Sequence, residues 1–138
     1  MGYYKLVILL LTGFLFANVD EYISKIDIYV TKSEFQNAAD LFDKSLLEYN
    51  ANAKLYFVGA QISIKMDDLD QANKYFVKAI ELDTKNEEYR DAQEKLAELK
   101  DDLTKARKTF DIGLIEDAII EYEKLAKKYP EHAIVFYI

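Results

Sequence analysis

One histidine, His132, and no cysteine leave this 138-residue chain little material for nucleophilic chemistry. A hydrolase of the Ser-His-acid kind needs its base within hydrogen-bond reach of the nucleophile, and the single imidazole stands close to the end of the sequence, beyond Pro130. The run Asp67, Asp68 and Asp70 offers the clustered oxygens that hard cations favour. Neither the glycine nor the twelfth-place glutamate of an ion loop accompanies it, and aspartates in such a place cap a helix and reverse the chain. Gly2, Gly13, Gly59 and Gly113 are isolated, so no glycine-rich loop is available to cradle a phosphate. A net charge of −7 argues against nucleic acid, whose phosphates demand a basic surface. Catalytic residues, metal ligands, cofactors and a small-molecule substrate are therefore not expected. The chain reads as non-enzymatic, and what is left is a surface for binding.

The elements that would carry such a surface are helices. With 51% hydrophobic and 31% charged residues the sequence belongs among globular domains, and 4 glycines with 1 proline are too few to build a turn-rich β fold. The first seventeen residues differ from the rest. Lys5 precedes an almost wholly apolar run, Leu6 to Phe16, and Ala17 supplies a small residue before Asn18 and Asp20. This pattern predicts a secretory signal peptide over 1–17, hence an exported, periplasmic or envelope protein. The alternatives are an uncleaved membrane anchor, for which the run is short against the roughly 20 residues a spanning helix needs, and a buried soluble helix.

From residue 18 onward the sequence repeats itself. An offset of 34 places Tyr22 on Tyr56, Phe35 on Leu69, Ala38 on Ala72, Phe42 on Phe76 and Ser45 on Ala79. A further offset of 46 brings Ile115, Ala118, Tyr122 and Leu125 into the same register, with Gly113 before them and Pro130 after. Ala133 and Phe136 then match Ala53 and Tyr56. Periodicity and capping residues predict helices over 19–31, 34–49, 52–66, 69–82, 86–111 and 114–129, with Ser33, Asp68 and Asn86 as helix caps. The repeats fall at about 19–52, 53–86 and 87–132, with a truncated unit at 133–138.

In spacing and in residue types these units resemble the tetratricopeptide repeat: Tyr56, Ala60, Ala72, Phe76 and Ala79 fit its pattern, whereas Gly59, Ser63 and Thr84 depart from it. The resemblance implies an all-α fold, a right-handed α-solenoid of antiparallel helix hairpins over 18–138. It also implies that the first helix of each hairpin lines a concave groove. The residues matching those places are Ile23, Asp27 and Val30, then Phe57, Gln61, Ile64 and Lys65, then Leu103, Arg107 and Phe110. Such a mixture suits a protein or peptide partner held by apolar anchors. Ile23 and Asp27 stand where one subfamily grips a terminal carboxylate with basic and amide side chains, which argues against that ligand.

The third unit carries twelve extra residues. Tyr89, Ala92, Leu96, Leu99, Leu103, Ala106 and Phe110 alternate in steps of three and four, and no proline or glycine interrupts 86–111, so one long helix is expected. Its first half is expected to overhang the stack. That overhang would pack on the second hairpin or on further repeats, or present a coiled-coil seam for self-association, or kink at Asp101 and Asp102. A structural, oligomerising role and an accessory domain of a larger enzyme are the rival functions.

Overall fold

The computed structural model describes residues 18–130 and His132; the expected signal peptide over 1–17 and the expected truncated unit over 133–138 lie outside these. Six helices run through the described residues, among which no strand occurs: α1 (Asn18–Thr31), α2 (Phe35–Leu46), α3 (Ala53–Lys65), α4 (Leu69–Leu82), α5 (Glu87–Asp111) and α6 (Ile115–Lys128). The chain is all-α over this span. α2 stops three residues short of the expected end, because the backbone N–H of Leu47 and of Glu48 each bond a carbonyl three residues back and tighten the last turn.

Capping differs in part from expectation. Asp68 does cap α4, its carboxylate accepting from the Gln71 N–H at 2.9 Å. Asn52 caps α3 in the same way through the Leu55 N–H, an N-cap that periodicity alone did not single out. Ser33 is no cap, since Glu34 occupies the N-cap position of α2, and Asn86 holds the N-cap position of α5 without a side-chain bond. Ser33 instead takes φ 59°, and its counterparts are Asp67 at 62° and Gly113 at 87°. These three residues stand at offsets of 34 and 46 from one another, and each closes the same hydrogen-bond pattern. The N–H of the left-handed residue reaches back three places, to Val30, Ile64 and Phe110, and the next N–H reaches back five, to Tyr29, Ser63 and Thr109. That is a Schellman stop repeated three times, and it folds each helix pair into a hairpin.

A hairpin built this way still has an open apolar stripe on its second helix. Ala38 and Phe42 of α2 are buried by Leu55, Val58 and Ile62 of α3. Ala72 and Phe76 of α4 are buried in the corresponding manner by Leu96 of α5, with Ala60 of α3 and half-buried Ala92 alongside. Alanine at each crossing lets the backbones approach and the phenyl ring fills the space beside it. Gly59, which departs from the repeat pattern, has a local cause: a side chain there would collide with the Phe42 ring, which meets Tyr75 edge-on at 5.1 Å. Each helix packs mainly on the next, and α1 also touches α3.

α5 runs unbroken through Asp101 and Asp102. Its first half does not overhang. Tyr89 and Leu96 stand 34 residues beyond Leu55 and Ile62 and are 6% and 3% exposed, packed on the second hairpin, where Gln93 also bonds Asn73. The second half follows the other offset: Leu99 and Ala106 pack with Leu125 and Tyr129. Asp102 fixes this pairing by accepting from Lys128 Nζ at 2.8 Å and from the Tyr129 hydroxyl at 3.0 Å. The Lys128 ammonium above all holds the Asp102 carboxyl below its usual range. The apolar seam expected for self-association is thus occupied within the chain, except at Phe110, which is 45% exposed.

The three turns generate a prediction. A non-glycine residue in the left-handed region carries a steric cost of roughly 1–2 kcal/mol, partly offset in a glycine variant by greater unfolded-state entropy. Ser33→Gly and Asp67→Gly are each expected to raise the urea-derived unfolding free energy by about 0.5–1 kcal/mol, while Gly113→Ala lowers it by about 1 kcal/mol. Loss of stability in both glycine variants would contradict the Schellman assignment.

Candidate binding groove

Helices α1, α3 and α5 together line two adjoining clefts that share Gln61. The first, of about 570 Å³, has Asp20, Ile23 and Asp27 of α1 on one side, Phe57 and Gln61 of α3 in the middle, and Glu88 and Tyr89 of α5 beyond. The second, of about 400 Å³, is formed by Val30, by Ile64 and Lys65 of α3, by Ala92, Lys95 and Leu96 of α5, and by His132. Phe76 reaches it from α4. Short turns and the 34-residue offset bring these side chains together, because they place the same face of each first helix on the same side of the molecule.

Seven of the ten residues expected to face a groove therefore share one: Ile23, Asp27, Val30, Phe57, Gln61, Ile64 and Lys65. They differ in what they can do. Ile23 is 5% exposed and belongs to the core around Phe42. Phe57 is half-buried, stacked on Tyr89 with ring centroids 4.7 Å apart and tilted against Phe76 at 5.6 Å. Asp27 and Gln61 are exposed. Burial, with the nearby Asp83 and Glu88 charges adding to it, pushes the Tyr89 hydroxyl above the usual tyrosine range.

Leu103, Arg107 and Phe110 do not join this groove. Leu103 and Arg107 line a separate cleft of about 580 Å³ with Tyr122, the turn residues Asp67 and Asp68, and Asp70 in the first turn of α4. Phe110 lies at the exposed tip of the third hairpin, near Ile112 and Leu114, which are 66% and 49% exposed. The cause is register. The 46-residue offset is correct for the half of α5 that faces α6, but the half that faces the groove keeps the 34-residue offset. Applied to Gln61 and Ile62, that offset yields Lys95 and Leu96, so the sequence held the signal for the residues it failed to nominate. In the separate cleft each aspartate already has a role. Asp67 makes the left-handed turn, Asp68 caps α4, and Asp70 pairs with Lys100, whose hydrogen bond holds the Asp70 carboxyl below its usual range.

No family model matches the sequence, and no curated protein matches it either. The groove must therefore be judged by its own geometry.

Phe57 and Gln61 separate packing from presentation. Phe57→Ala removes a ring held between two others and is expected to cost about 3 kcal/mol, at the lower end for a phenylalanine because the ring is only partly buried. Gln61→Ala, at an exposed position, is expected to change stability by less than about 0.5 kcal/mol. Urea melts of the two variants check this, and equal effects would show that Phe57 does not bridge α3 and α5.

Proposed function

We propose that the chain is an exported, non-enzymatic scaffold of tetratricopeptide type that holds a peptide or protein partner in the groove across α1, α3 and α5. The observation that carries this is the continuity of the two clefts through Gln61, along a face where exposed polar groups surround an apolar floor. Three further features support the helical-repeat reading: the Schellman turn recurring in register, the matched Ala and Phe crossings, and the packing of each helix on the next. A stack of hairpins holds its groove residues in place before a ligand arrives, which lowers the ordering cost of binding on the protein side. This reading needs no self-association through the long helix, since Leu99 and Ala106 are buried within the chain and Tyr89, Ala92 and Leu96 line the groove.

Peptides selected from a random library against the chain are expected to lose at least about tenfold in affinity on Gln61→Trp, which fills the junction of the two clefts with an indole. The same peptides should be indifferent to Lys74→Ala, an exposed position of α4 outside both clefts. Selected peptides that ignore Gln61→Trp would refute the groove as the binding surface.

Export rests on the residues before α1. No helix among the described residues is long and apolar enough to cross a membrane. A signal peptide of seventeen residues implies that the secreted protein is about 2 kDa lighter than the translated chain and begins at Asn18. Intact-mass measurement decides it, and a full-length product in the membrane fraction would replace export by anchoring.

A further inference from the structure

The row Asp27, Gln61 and Lys95 crosses the groove at one register position, each residue 34 beyond the last, on α1, α3 and α5 in turn. All three are exposed, and all three line the clefts. The row runs from an acid through an amide to a base. Neither Asp27 nor Lys95 has an ion-pair partner among the described residues, so both charges are open to a ligand. Helix-end electrostatics does not explain the pair. Asp27 stands near the C-terminal end of α1, where a carboxylate opposes the helix dipole, and Lys95 lies more than a turn inside α5.

Beside this row, one turn further along α1 and α3, lies the apolar part of the groove, with Lys95 at its edge. Val30, Ile64, Ala92 and Leu96 surround the second cleft, and its volume of about 400 Å³ exceeds what one aliphatic side chain requires. Packed helices stand roughly 8–10 Å apart, so two steps from α1 to α5 separate Asp27 from Lys95 by about 20 Å. An extended peptide covers that distance in about six residues at 3.3 Å each, with alternate side chains facing the groove.

Building on the groove reading, the geometry points to a partner of defined chemistry: an extended segment with a cationic side chain over Asp27, an anionic side chain over Lys95 about six residues away, and aliphatic side chains between them on the same edge. Charge complementarity fixes this occupant. A uniformly basic segment, which the chain's net charge of −7 would otherwise attract, meets Lys95, and a uniformly acidic one meets Asp27.

The test uses the blocked heptapeptide Lys-Ala-Leu-Ala-Leu-Ala-Glu and its two like-ended versions, with lysine at both ends or glutamate at both ends. Each is titrated into the full chain while the Gln61 side-chain amide is followed by NMR. The mixed peptide is expected to bind tightest, by up to about fivefold for each charge satisfied. Lys95→Glu should transfer the preference to the two-lysine peptide, and Asp27→Lys should transfer it to the two-glutamate peptide. Both substitutions are on the surface, and unchanged helical circular dichroism confirms that the variants fold. If the preference follows net charge alone while the Gln61 amide shifts, the charge row is overturned and the groove stands. If peptides bind without moving that amide, or bind nowhere, the groove reading fails and takes the charge row with it. A Gln61 amide that shifts with protein concentration alone makes the occupant a second copy and overturns the proposal.

Discussion

Everything in this molecule depends on an apolar stripe that no hairpin can bury by itself. Phe42 and Phe76 project from the second helix of their hairpins, beside alanines that keep the crossing close, and only the following first helix can cover them. The Schellman stops at Ser33 and Asp67 aim each second helix so that this cover arrives in the same way twice. Gly59 shows how tight the fit is: the Phe42 ring occupies the space where a side chain would stand, and the helix accepts a residue of low intrinsic propensity to admit it. The groove is the other face of the same arrangement, because covering the stripe forces α1, α3 and α5 to lie side by side.

The third hairpin obeys the rule with a displacement. α5 covers the second hairpin with one register and receives α6 with another, twelve residues on. Twelve residues of helix amount to about 18 Å along the axis and a third of a turn around it. The third hairpin is thus shifted away from the groove, and the separate cleft around Tyr122, Leu103 and Asp70 opens beside it. Asp102 stabilises this geometry by binding both Lys128 and Tyr129 from α6, so the shift is held by specific contacts as well as by the core of Leu99, Ala106 and Leu125. The apolar residues Ile112, Leu114, Ile115 and Ile119 at the tip and on α6 stay exposed where the earlier hairpins carry Lys32, Glu34 and Asn73 among their equivalents.

The helices and the repeat were legible in the sequence because helical periodicity is local. A stripe such as Ala72, Phe76 and Ala79 announces its face whatever surrounds it, and an offset shared by Tyr22, Phe42 and Ser45 with Tyr56, Phe76 and Ala79 needs no tertiary contact to be visible. The absence of cysteine likewise removes thiol chemistry, and the net charge of −7 is the ground for not expecting a nucleic-acid partner. What the sequence left undecided was which neighbour each half of α5 would serve. Both offsets fit the pattern, since Leu96, Leu99, Leu103 and Ala106 form a continuous seam, and a seam is silent about whether it faces a hairpin, a second copy or solvent. Only tertiary packing resolved it: the open stripe at Ala72 and Phe76 captured Leu96, and the Asp102 contacts captured α6 farther along. For that reason Tyr89 and Lys95 lie in the groove while Leu103, Arg107 and Phe110 do not.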